Sequence, residues 1–157
     1  MLPCKFSKRE RQIQNYNLRN DSYKELARIG RKYYGDTNFC TVIATAKACR
    51  CSFGKAFNEL KRQGRKTGKG SWGAPKAITA ISGKEVVPYS AVPSMSEKVG
   101  CTIGQAEKNL PKKGTFLLHV RGHVACMVDG KLYDWSARSE RNGRACRRRI
   151  ISIDEVK

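Results

Sequence analysis

Residues 114 to 136, GTFLLHVRGHVACMVDGKLYDWS, hold both histidines of the chain, His119 and His123, and an aspartate, Asp134, beyond a tight Asp-Gly pair. With Asp129 and Gly130 as the central residues of a type I′ turn, Val128 faces Lys131, Met127 faces Leu132, Cys126 faces Tyr133 and Ala125 faces Asp134. Opposed residues project to one face, as do residues two apart on a strand, so His123 and Asp134 become diagonal neighbours about 7 Å apart at Cβ. That spacing allows a carboxylate to hold one ring nitrogen while the other points at a nucleophile. The hairpin alone fits equally well a His and an Asp on a solvated edge.

A nucleophile is present in YYGDTNFCTVIATAKAC. Cys40 opens an apolar stretch after the turn-forming GDTN segment. A thiol at a helix N-terminus is stabilised as thiolate by the local dipole, and the free backbone N–H groups there can receive an oxyanion. Cys49, Cys51, Cys101, Cys126 and Cys146 lack such a setting. Cys126 points away from the His123 face and is expected in the core.

Elements must position these groups. Tyr23, Leu26, Ile29 and Tyr33 recur at helical spacing, which predicts a helix over Ser22–Tyr33. Gly35 to Asn38 is a break, a second helix is expected over Phe39–Ala48, and a third starts from Ser52 as N-cap with Phe53, Ala56, Phe57 and Leu60 on one face. A short helix near Pro75, a strand at KEVVPY and a helix over Thr102–Leu110 follow. From Gly114 the period is that of strands, through RRRIISIDEV. Helices first and an antiparallel sheet second predict an α+β domain, residues 21–157, preceded by a basic arm over residues 1–20 with Lys5, Lys8, Arg9 and Arg11.

Composition bounds the rest. The chain has 157 residues, enough for one domain with a proper core. Its 32 Lys and Arg against 13 Asp and Glu give +19, a charge that attracts polyanions. Arg62, Arg65, Lys66 and Lys69 crowd one loop, and Arg144, Arg147, Arg148 and Arg149 crowd the C-terminal part. These eight are the expected sites for nucleic acid or another polyanion, bound through phosphates without reading sequence. Seven cysteines, an odd number, and the lack of a signal-like or membrane-spanning run point to a reducing, cytoplasmic setting, or to a viral particle. No membrane partner is expected.

Other spacings carry less. His119 and His123 form an HxxxH pair and Cys49 with Cys51 a CxC, but residues four apart on one strand lie some 13 Å from each other unless the chain turns at Arg121 and Gly122. No metal and no other cofactor is expected, and His119 reads as a satisfied core or sheet histidine. GKGSWG lacks phosphate-loop spacing and reads as a loop that lines an approach to the site or meets a polyanion, with Trp72 as a stacking or core group.

A cysteine opening the central helix of a helical first half, with GHVACMVDGKLYD in a β second half, resembles the papain-like cysteine peptidase superfamily, particularly its small bacterial and viral members. The resemblance covers roughly residues 34 to 136 as an outline. It implies that Cys40 is the nucleophile, His123 the general base and acid, and Asp134 the orienting residue, acting on a protein or peptide. The family's oxyanion glutamine has no counterpart, since that region holds Tyr34 and Gly35. Asn38 or the Asp36 backbone substitutes, and DTNFC is similar to the Asp-Gly-Asn-Cys segment of ovarian tumour-type deubiquitinases. Two classes stay open: a thiol hydrolase, or an inactive relative that uses this fold to bind nucleic acid or an assembly containing it.

Overall fold

The computed structural model describes residues 22–71, 73–89 and 101–157. The basic arm and Trp72 lie outside these residues. Helix α1, Tyr23–Tyr34, begins where the Ser22 hydroxyl accepts from the Glu25 backbone N–H and ends at Gly35, whose φ of 63° only a residue without Cβ adopts freely. Its buried Leu26 and Ile29 face α2, Cys40–Cys49, and α3, Phe53–Arg62. Ser52 caps α3 through the Lys55 N–H, as its position predicts. Helix α4, Ala74–Ser82, carries Pro75 in its first turn.

Helix α2 is buried from Thr41 through Ala48. Apart from Lys47, whose ammonium lies over the Tyr133 ring at 4.5 Å, its buried side chains are apolar or small, which makes it the central helix. One flank packs in a core of α1, α2 and α3 that includes Phe53 and Phe57. The other flank, with Ala44 and Ala48, presses together with Ile78 of α4 onto Leu117, Val124 and Cys126 of the sheet. Gly30 permits the close approach of α1 to α3: a Cβ there would lie 2.8 Å from the Phe53 ring.

The sheet comprises β1, Val86–Pro88, β2, Thr115–Val120, β3, His123–Val128, β4, Lys131–Tyr133, and β5, Ile150–Val156. Their order is β1-β5-β2-β3-β4, every pair antiparallel. The β3–β4 register is the expected one, Cys126 opposite Tyr133 and Met127 opposite Leu132. Positive φ at both Asp129 (49°) and Gly130 (84°) suits the type I′ turn. A second two-residue turn, Arg121–Gly122, joins β2 to β3, so the chain does reverse between His119 and His123 and the 13 Å separation does not apply.

Helix α5, Ile103–Asn109, covers the opposite face of the sheet. Thr102 and Gln105 cap it reciprocally, and it ends before Pro111. Its Ile103 and Ala106 pack on Phe116, Leu118 and Met127. The molecule is therefore α+β, with the early helices on one face of an antiparallel sheet and α5 on the other.

The strand period was expected to continue from Gly114 to the C-terminus, and residues 134–149 depart from it. They form successive turns, closed by local bonds such as Arg141 N–H to Ala137 O and Gly143 N–H to Arg138 O. SARSERNGRACRRR has too few alternating apolar residues to bury a strand face. Among the described residues, no helix is long and apolar enough to cross a membrane.

Candidate active site

Cys40 is the first residue of α2, and its N-cap, Phe39, supplies no side-chain oxygen to the helix. Ser22, Ser52 and Thr102 all do so for their helices. The N–H groups of the first α2 turn therefore face outward without a side-chain cap, beside the thiol.

The segment before the thiol is held from within. Buried Asp36 accepts through Oδ1 from the N–H groups of Asn38 (3.2 Å) and Gly68 (2.9 Å), and through Oδ2 from Arg65 Nη2 (2.8 Å). The same Arg65 nitrogen donates to the Asn38 carbonyl. Thr41 donates its hydroxyl to the Ser71 carbonyl at 3.0 Å, which ties the following glycine-rich loop to α2. GDTN is thus a braced loop, not a passive break.

His123 opens β3, and Asp134 follows β4 directly. His123 Nε2 donates to Asp134 Oδ1 at 2.8 Å, with both side chains buried. The other oxygen of Asp134 accepts from the backbone N–H and the hydroxyl of Ser136. Trp135 lies beside the imidazole, ring centroids 5.9 Å apart, and the Arg148 guanidinium sits over the indole at 5.8 Å.

The thiol and the imidazole line the same cavity and act on each other's titration. Burial pushes the Cys40 thiol up, but bonds from the His123 ring and the Val124 backbone N–H, with the positive charge of His123, outweigh it and hold the thiol below its ordinary value. Burial pulls His123 down, but bonds to Asp134 and Cys40 and their negative charges raise it to about 9. Both shifts favour a thiolate–imidazolium pair. Burial, with the charges of Asp134 and Cys40, pushes the nearby Tyr23 phenol up to about 12, which keeps it a neutral donor.

Cys40 and His123 line one cavity of about 410 Å³, with Thr41, Gly70 and Ser71 at the helix side and Ser152 at the sheet side. His119 and Asp154 line it too. His119 Nε2 donates to Asp154 Oδ2 at 2.8 Å, so one ring nitrogen of this sheet histidine is held by a carboxylate of β5. Among the described residues, no group of three or more His, Cys, Asp or Glu is placed to hold a metal ion.

The expected site residues separate into two sets. Cys40, His123 and Asp134 are brought together. Asn38 is close, its Oδ1 4.0 Å from Cys40 Sγ, while its Nδ2 is directed towards Gly70. Donation to an oxyanion therefore requires a half-turn of the amide, a torsion with a broad two-fold profile.

The basic set divides further. Lys66, Lys69, Arg144, Arg147 and Arg149 are exposed. Arg62 is exposed but bound to Glu59 one turn earlier on α3. Arg65 corrects the expectation: its side chain is 2% exposed and serves Asp36 and Asn38, out of reach of a polyanion. Arg148 is half-buried and donates to the Arg121 carbonyl at 2.8 Å, which occupies it with the β2–β3 turn and Trp135.

Reasoning from sequence passed over Ser136, Asp154 and the structural use of Arg65. Asp-x-Ser is a recognisable turn pattern, and alternation in ISIDEV places Asp154 with Ser152 on one strand face. Nothing local marks Arg65, whose partner lies 29 residues away.

The six described cysteines are all free thiols. Cys126 is in the core, as its strand face requires. A hydrogen bond from Cys51 lowers the Cys49 thiol and raises that of Cys51, so Cys49 is a second acidified thiol away from the cavity. In comparisons with protein-family models, curated proteins and solved structures, the chain has no match.

Proposed function

We propose that the protein is a thiol hydrolase, a cysteine peptidase, isopeptidase or amidase, with Cys40 as nucleophile, His123 as base and acid, and Asp134 as orienting residue. The observation that carries this reading is that Cys40, at a helix start without a side-chain cap, and His123 line one cavity, with Asp134 2.8 Å from His123 Nε2. The resemblance to papain-like cysteine peptidases supports the same roles.

The Cys40 thiolate attacks an acyl carbon, and the carbonyl oxygen takes the negative charge. Outward N–H groups of the first α2 turn stabilise that oxyanion, with the Asn38 amide as a second donor after rotation. As the tetrahedral state collapses, His123 gives its proton to the leaving amine, the C–N bond breaks and a thioester forms. Water then attacks the thioester while His123 takes its proton; the C–S bond breaks, the acid leaves and Cys40 is regenerated. Asp134, fixed by Ser136, stabilises the imidazolium and selects the ring orientation. No cofactor is required.

The test is hydrolysis of a peptidyl-coumarin amide library. Turnover that Cys40→Ala abolishes and His123→Ala reduces by about three orders of magnitude is the expected result. Turnover unaffected by Cys40→Ala refutes it.

A second reading rests on a separate observation: exposed Lys66, Lys69, Arg144, Arg147 and Arg149 in a chain of net charge +19. They favour attraction to nucleic acid or to an assembly containing it, such as a viral particle, in the cytoplasm of a host cell. The two activities are compatible, because among the described residues no Lys or Arg lines the cavity.

A further inference from the structure

Thirty-two of the 157 residues are Lys or Arg, yet among the described residues none lines the cavity that holds Cys40. The only carboxylate on its wall, among the described residues, is Asp154. In a chain this basic, an anionic substrate could be met by a lysine or arginine almost anywhere; the described lining offers none, and a ligand carboxylate would face Asp154 with like charge.

The placement of Asp154 is specific. On β5 it lies two residues from Ser152 and so shares its face, and Ser152 stands directly opposite His119 on β2. One carboxylate oxygen, Oδ2, accepts from His119 Nε2 at 2.8 Å, and this bond fixes the group. The other, Oδ1, has no partner among the described residues, while the side chain keeps 22% of its surface exposed. Around it Gly70, Gly122 and Ala74 keep the cavity open. Cys40 comes from the helix layer and Asp154 from the sheet, and both walls face the same space.

We propose that Asp154, oriented by His119, is the specificity subsite of this cavity and binds a cationic hydrogen-bond donor of the substrate, a lysine or arginine side chain of a peptide. The free Oδ1 accepts from the ammonium or guanidinium group, and the half-buried position makes the charge count for more than at an open surface. This assignment of substrate class rests on the thiol-hydrolase reading for its use, but the subsite itself can be tested without turnover.

Two probes of Cys40, cationic 2-bromoethylammonium and neutral iodoacetamide, are compared by mass spectrometry at the Cys40 peptide, each rate divided by that for 2-mercaptoethanol. The expected result is a cationic-to-neutral ratio that falls about tenfold in Asp154→Asn and is retained in Asp154→Glu, as loss of one favourable charge contact requires. An equal ratio in wild type and Asp154→Asn overturns the proposal. Should Asp154→Asn fail to fold, the wild type decides: a normalised cationic rate below the neutral one overturns it, and a rate above it supports it. The coumarin library then separates the two readings. Cleavage after or beside Lys and Arg supports the subsite, and cleavage without basic preference overturns it while the hydrolase reading stands. If no peptide is cleaved but the alkylation ratio falls in Asp154→Asn, the hydrolase reading fails and the subsite stands.

Discussion

Arg65 and Asp36 meet at 2.8 Å with both side chains removed from water, and through Asn38 this pair holds the backbone two residues before Cys40. An arginine counted from sequence among the polyanion-binding groups is thus an internal brace. Replacing it by Met leaves the Asp36 carboxylate buried without its cation, which costs about 3–5 kcal/mol. Urea unfolding measures this. Arg62→Met, at an exposed pair on α3, is expected to cost far less. In the surviving folded fraction, Arg65→Met also slows Cys40 alkylation, since the loop before the thiol loses its anchor.

The pH dependence follows from the two shifted groups. Cys40 loses its proton below the ordinary thiol value, so the thiolate is gained as pH rises through that lowered value. His123 holds its proton up to about 9, so the imidazolium is lost as pH rises through that value. The pair exists between the two, and kcat/KM is expected to be bell-shaped with an alkaline limb near 9. Iodoacetamide needs only the thiolate, so its rate at Cys40 rises on the acid side and does not fall on the alkaline side. His123→Ala moves that rise to higher pH at Cys40 and leaves Cys49 where it is.

Linkage to stability runs in opposite senses. Raised His123 stabilises the folded chain fully below its ordinary value of 6.5, and this is lost as pH climbs to about 9. Lowered Cys40 stabilises it above the ordinary thiol value of 9.0, and this is lost as pH falls through its folded value. Thermal unfolding of His123→Ala and Cys40→Ala across that range is expected to show each slope removed separately.

Ser136 donates twice to Asp134 and touches no reacting atom in the proposed mechanism. Ser136→Ala frees Oδ2 of one donor and loosens the carboxylate. A drop of about tenfold in kcat with little change in KM is expected, as one bond to a charged group is worth that much. The alkaline limb shifts towards lower pH at the same time, a signature that general destabilisation does not produce. Ser136→Thr, which keeps the hydroxyl, restores both.

For the basic surface, binding to a nucleic acid duplex should weaken steeply with salt. Each phosphate contact removed flattens the slope of log K against log salt by about 0.9. Replacing Arg144, Arg147 and Arg149 by Ala, all exposed, is expected to flatten it, and Cys40→Ala to leave it unchanged. Anisotropy titration at two salt concentrations measures the slopes. Affinity absent at low salt removes the second reading.

The helices were legible because each is written locally. Ser22, Ser52 and Thr102 stand at the starts they cap, and Tyr23, Leu26 and Ile29 repeat at the helical period. The Asp129–Gly130 turn fixed the β3–β4 register, and with it the placing of His123 beside Asp134. Long-range pairings leave no such mark. The turn at Arg121–Gly122, the insertion of β5 between β1 and β2, and the Arg65–Asp36 bond depend on which distant segments meet. Residues 134–149 were misread because charge and small residues resemble an exposed strand until the absence of alternation is counted.

The place of β5 in the sheet bears on how the protein is made. β5 is the last described strand to be synthesised, yet it lies inside the sheet, paired with β1 on one side and β2 on the other. Chains fold from the N-terminus as they emerge, so the helices that carry Cys40 are made long before the wall that carries Ser152 and Asp154. A nascent chain therefore bears the thiol without a finished cavity until Ile150–Val156 slots between its two neighbours.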